Sequence, residues 1–235
     1  MRYILEQMDR TVDLSVVTNK IPDKPFELIL PNAKTTGGCS ILMVGSTRCG
    51  KTTCLKHILD KYFKTHTGAI FSESARAPAY QDMKYPLLPL SPCYIPELVR
   101  ASYHINKDTQ NFYDWLYVLD DVPLVKNDKQ LLKMLTIYRN SNISAITCVQ
   151  SPTLLNPTCR SNFNFVLLFK QNTTGQIEAV IKTFLRGYFP EGWNYEQKIE
   201  AYRRLTEDHH FIFIDNLNGT IQRCKLTPEQ MGKRK

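Results

Sequence analysis

Residues 45–52 read GSTRCGKT and follow directly on the apolar run Ser40-Ile41-Leu42-Met43-Val44. The pattern is G-x-x-x-x-G-K-[ST], in which a glycine-rich turn delivers a lysine and a hydroxyl residue to the start of a helix. Glycine lets the backbone curl tightly enough for successive N–H groups to face one anion. A helix beginning at the end of the loop adds unpaired N–H groups and the positive end of its dipole. The flanks suit this geometry. The run before the loop reads as a buried strand. Beyond it, Leu55, Ile58, Leu59, Tyr62 and Phe63 recur at helical spacing within Thr53 to Phe63. A chain with strand, loop and helix in this order is constrained to an α/β fold with a phosphate site at the strand's carboxyl end. A glycine-rich turn with a solvated lysine would not need either flank. Gly45, Ser46, Thr47, Arg48, Cys49, Gly50, Lys51, Thr52 and Thr53 are therefore expected to surround the phosphates of a nucleotide such as ATP. Lys51 would reach the β- and γ-phosphates, and Thr52 would place its hydroxyl on Mg²⁺, which prefers oxygen ligands.

The remaining elements alternate. Residues 1–35 form an N-terminal extension whose FELIL stretch, 26–30, reads as a strand bracketed by Pro25 and Pro31, and residues 36–235 form the main domain. GAIF, WLYVLDD, SAITCVQ and NFVLLF read as strands, KQLLKMLTIYRN and Thr174 to Gly187 as helices. FIFID and TIQRC read as a closing hairpin around Asn218-Gly219, with His209-His210 in the preceding turn. Tyr113, Trp115 and Tyr117 alternate as strand core residues. Residues 75–98 carry Pro78, Pro86, Pro89, Pro92 and Pro96 and read as an irregular surface connection. This order implies a largely parallel sheet.

Composition bounds the partners. No apolar run approaches the roughly 18 residues of a membrane span. The seven cysteines show no C-x-x-C or zinc-site spacing, which suggests reduced thiols in an intracellular setting. A net charge of +8, with a small cluster in the final GKRK, suits a polyanionic partner as well as an ordinary basic surface.

A phosphate loop needs an acid for Mg²⁺, and that acid should end an apolar strand, since ligands bind outside the carboxyl ends of parallel strands. WLYVLDD supplies it. Asp120 is the expected metal-side acid, and Asp121 the residue that orients or deprotonates an attacking water. GAIF lies between the loop and these acids in the chain, and an extra strand between the loop strand and the acid strand marks ATPases with an additional catalytic acid. The guanine-reading N-K-x-D of GTPases does not follow the loop; TNKIPD at 18–23 precedes it with the wrong spacing. Gln150, at the tip of SAITCVQ, is placed either to sense the γ-phosphate or simply to begin a loop.

With the loop GSTRCGKT, the run WLYVLDD…YRNSNISAITCVQ resembles the FtsK–HerA superfamily of DNA-pumping ATPases, and within it the poxvirus-type genome-packaging ATPases of large DNA viruses. The resemblance covers roughly residues 38 to 170. It implies an α/β, RecA-like P-loop core with a largely parallel central sheet flanked by helices, the C-terminal strands forming a hairpin. It also implies a homo-oligomeric ring with active sites between subunits, acting on double-stranded DNA and meeting capsid or portal-vertex proteins. The setting would be the host cytoplasm, a viral factory or the virion. Arg139 and Gln150 fall on the family's arginine and glutamine positions, which would make Arg139 a finger onto a neighbour's γ-phosphate; its local alternative is a charge at a helix C-terminus. Arg160 is the rival finger, and Lys126 and Lys129 are further candidates for the neighbour's nucleotide. The family has Glu where Asp121 stands, one methylene shorter. Against this translocase reading stand a small-molecule kinase that phosphorylates a nucleoside, and a nucleotide-binding scaffold that does not hydrolyse.

Overall fold

The computed structural model describes residues 12–32, 36–72, 87–90, 95–122 and 129–231. Eight strands form one sheet: β1 (Ser40–Val44), β2 (Thr67–Phe71), β3 (Leu87–Leu90), β4 (Trp115–Asp120), β5 (Ile143–Val149), β6 (Phe165–Leu168), β7 (Phe211–Asp215) and β8 (Thr220–Cys224), in the spatial order β3-β2-β4-β5-β1-β6-β7-β8. The first six in that order are parallel; β7 is antiparallel to β6, and β8 to β7. The closing hairpin is present, its loop spanning Asn216 to Gly219.

Every residue of β1, β5 and β6 is buried, as expected of parallel strands covered on both faces. Alternation then divides the core in two. Leu42 and Val44 point to one face, Ile41 and Met43 to the other. The first face is covered by α3 (Ile95–Asp108), α4 (Lys129–Thr136), α5 (Pro157–Ser161), α6 (Thr174–Val180) and α7 (Tyr195–Leu205), with the short α1 (Ser15–Thr18) at its margin. The second is covered by α2 (Lys51–Tyr62), which buries Cys54, Leu55, Ile58 and Leu59.

Four readings change. Residues 26–30 form no strand: the Leu28 N–H goes to the Tyr62 hydroxyl at 3.0 Å, and Phe26 packs edge-on against Phe211 and Phe213, so the segment is a cover for the second face. Within 75–98, Leu87–Leu90 is a strand and α3 starts at Ile95. Pro89 is tolerated because β3 is the sheet's edge, and Pro96 because it stands in a first helical turn, where its missing N–H costs nothing. The helix begun at Lys129 stops at Thr136 and yields to a 3₁₀ turn, Tyr138–Ser141, while Thr174 to Gly187 is α6 followed by a π turn, Ile181–Leu185.

Asn106, fully buried, ties α3 to the sheet. Its amide donates to the Tyr113 carbonyl at 2.8 Å and the Ser141 carbonyl at 2.6 Å, and its oxygen accepts from the Trp115 indole at 3.3 Å.

Candidate functional site

The loop after β1 is anchored on both neighbouring strands. Gly45 N–H donates to the Val149 carbonyl and Ser46 N–H to the Lys170 carbonyl, each at 3.1 Å. A Cβ on Gly45 would lie 2.6 Å from Phe169 Cβ and 2.7 Å from Cys49 Sγ, so no larger residue fits. Gly50, at φ 100°, makes the left-handed turn into α2, and Arg48 shares that region at φ 63°. No side chain caps α2, which leaves its first N–H groups facing the loop's concavity. Lys51 is 7% exposed and curls back, donating to the Gly45 carbonyl and, at 2.9 Å, to the Ser46 carbonyl. Cys49 lies inside the loop, and burial pushes its thiol up, so it is neutral packing.

A cavity of about 500 Å³ opens over this loop, and Thr52, Asp120 and Asp121 line it together with Lys51. The acids arrive from β4, two places from β1, with β5 between them. The strand that separates loop and acids is thus β5; the GAIF strand, β2, lies on the far side of β4. The register sets Met43, Cys148 and Asp120 abreast across β1, β5 and β4. Burial raises the Asp120 carboxyl to about 6, the charge of Asp121 adding to it, while the Cys148 thiol's hydrogen bond and the Lys51 ammonium pull the other way. Asp121 follows at φ 49°, exposed, its N–H donating to the Cys148 carbonyl at 3.3 Å.

The other expected residues stand apart. Gln150 is exposed at the tip of β5 and does not line the cavity. Arg139 sits in the 3₁₀ turn that leads into β5, hence at the amino edge of the sheet, opposite the loop. Its carbonyl accepts from Gly38 N–H at 2.8 Å, and its Nε is buried without a hydrogen-bond partner. Arg160 donates through one nitrogen to the Pro152 and Leu155 carbonyls, both at 3.0 Å. Lys129 is exposed at the start of α4, and Lys126 lies outside the described residues.

Five contributors were not expected. Gln171, three residues past β6, is buried, and its oxygen accepts from the Ser46 hydroxyl at 3.1 Å. His209, Phe211, Leu226 and Met231 line the cavity from the C-terminal side, which no local pattern announces.

No family model matches the chain. Among curated proteins it is 24% identical over 218 residues to the uncharacterized protein 015R of Frog virus 3, covering 86% of this chain and 66% of that one. Among solved structures it superposes on B204, the DNA-packaging ATPase of Sulfolobus turreted icosahedral virus, with a TM-score of 0.62 at 13% identity, over 82% of this chain and 99% of that one. The chain has the fold of that ATPase. The conjugation coupling protein TcpA of pCW3, solved with ATPγS, shares this fold at a TM-score of 0.59 and 12% identity, over 90% of this chain and 69% of that one. Among the described residues, no helix is long and apolar enough to cross a membrane.

Proposed function

We propose that this chain is an ATP-driven motor that moves double-stranded DNA, packaging a viral genome into a capsid in the manner of the poxvirus-type ATPases. The observation that carries the reading is the meeting, in one cavity, of the phosphate loop, the Thr52 hydroxyl and the two acids that end a strand two places away. The fold neighbours named for DNA packaging and conjugation coupling support the DNA part, and the relative in Frog virus 3 supports the viral setting.

The roles follow from position. Loop N–H groups and Lys51 bind the β- and γ-phosphates, Lys51 exchanging its loop carbonyls for phosphate oxygens. Thr52 and Asp120 are the donors for Mg²⁺. They fit it: both offer hard oxygens, and the buried carboxyl raised to about 6 is a group that a cation would relieve. Among the described residues no three His, Cys, Asp or Glu side chains gather as a self-sufficient metal site, so phosphate oxygens would complete the shell. Bound there, Mg²⁺ neutralises charge on the phosphates. Asp121 orients the attacking water and accepts its proton. Arg139 lies on the edge opposite its own cavity, so as a finger it serves the nucleotide of another copy, in a homo-oligomeric ring. Gln150, exposed at the tip of β5, reports hydrolysis to that neighbour. The ring grips DNA phosphates through Lys and Arg without reading sequence, and meets a capsid or portal-vertex protein in the infected cell.

The test is ATP hydrolysis with and without linear duplex DNA at low salt. Stimulation by DNA that falls steeply as salt rises supports the motor. A single rate with and without DNA overturns it, and transfer of the γ-phosphate to a nucleoside supports the kinase instead. Asp121→Asn should abolish turnover while ATP binding survives.

A further inference from the structure

The chemistry occupies only part of the cavity. Asp120 and Asp121 stand on the β4 side of β1, while the same cavity continues to the β7 side, where its wall is His209, Phe211, Leu226 and Met231. The antiparallel return of the last strands puts that wall there. Phe211 opens β7 and pairs with Cys224, the last residue of β8, at the edge where the parallel strands end. Phe211 also stacks on Phe169, which follows β6, with ring centroids 5.0 Å apart.

Two local devices fix the wall. Asp208 and His209 are both left-handed, at φ 51° and 61°, and this consecutive pair turns the His209 ring to the loop, where its Nδ1 lies 4.0 Å from the position of a Cβ on Gly50. At the other side Thr227 and Gln230 cap each other: the Gln230 oxygen accepts from Thr227 N–H at 2.8 Å, and the Thr227 hydroxyl from Gln230 N–H at 3.3 Å. Met231 N–H then closes on the Thr227 carbonyl at 3.0 Å, and its side chain packs on the core of the second face.

We propose that this wall is the nucleobase site. Resting on the reading of the cavity as a nucleoside triphosphate site, it assigns the purine to the space between the His209 imidazole and the Leu226 and Met231 side chains, with the triphosphate running along the loop towards Asp120. A flat imidazole and a thioether hold a purine by stacking and burial. Contacts of that kind do not read the 6-position substituent, so adenine and guanine nucleotides bind alike.

The experiment is calorimetric titration of the full chain, with Mg²⁺, by ATP, GTP and inorganic tripolyphosphate. ATP and GTP should agree within about threefold, and tripolyphosphate should bind about tenfold or more weakly, since base stacking is its missing contribution. Met231→Asp should weaken ATP about tenfold more than it weakens tripolyphosphate, which feels only the added charge. The double variant Thr227→Ala, Gln230→Ala, which releases Met231 without adding charge, should act in the same direction. An ATP-to-tripolyphosphate ratio unaltered by both variants overturns the base site while leaving the nucleotide reading intact. A preference of about thirtyfold or more for one purine overturns the tolerance. A wild-type protein that takes up neither ATP nor tripolyphosphate sinks the nucleotide reading, and this inference with it.

Discussion

Replacing Asp120 by Asn should make the nucleotide-free protein more stable while removing its chemistry. Asp120 is 7% exposed, and burial together with Asp121 lifts its carboxyl from 3.8 to about 6. A raised acid pKa means that the folded state holds its proton more tightly than the unfolded chain, so the native fold bears a penalty wherever the group is ionised. That penalty is absent below the unfolded value of 3.8, grows between the two values and is complete above about 6. Its full size is about 3 kcal/mol. Asn keeps the shape and removes the charge. In EDTA at about pH 7.5, thermal unfolding of Asp120→Asn should therefore lie above wild type by up to about 6–12 °C for a chain of this size. At about pH 4.5 the gap should shrink to about a third, because most wild-type molecules then carry the proton. Added Mg²⁺ and ATP should raise the wild-type midpoint by more than the variant's, which keeps the phosphate loop but has lost a metal ligand. A variant no more stable than wild type at neutral pH, or one whose advantage is the same at both pH values, would refute the assignment of strain to this carboxylate.

Arg139→Ala should cut DNA-stimulated turnover by about 10³-fold or more. Mixed in equal parts with the equally inactive Asp121→Asn protein, it should regain about a quarter of wild-type activity, since one random interface in four joins an intact pocket to an intact finger; a mixture that stays inactive rules out action between copies. Arg160→Ala, whose guanidinium is committed to two loop carbonyls, should lower stability more than it lowers turnover per folded molecule. Asn106→Leu takes the fully buried amide from the Ser141 carbonyl, the Tyr113 N–H and the Trp115 indole N–H, so its unfolding midpoint should drop by about 6–12 °C, for a loss of about 3 kcal/mol; a shift within about 1 °C would mean that water replaces the amide.

What the sequence disclosed was what is local. The phosphate loop, its helix and the twin acids each carry their signal within a dozen neighbouring residues, and the structure brings them into one cavity. What escaped depended on distant partners. Phe26 and Leu28 alternate as they would in a strand, and only the Tyr62 hydroxyl, taking the Leu28 N–H, decides otherwise. Pro89 argued against a strand because nothing in its neighbourhood says that it lies at an edge. Proline in 75–98 likewise hid the start of α3, although Pro96 stands where a helix accepts it. The capping box of Asn194 and Gln197 that opens α7 is likewise a local signal. His209 and Met231 reach the cavity through chain reversals that no periodicity encodes.

The placement of β5 has a further consequence. Because a whole strand stands between the loop's strand and the acids' strand, the width of the reaction chamber is set by two steps of main-chain pairing, about 10 Å. That width can change only by inserting or deleting a strand. Side-chain substitution can tune what the chamber holds, but its gauge belongs to the backbone.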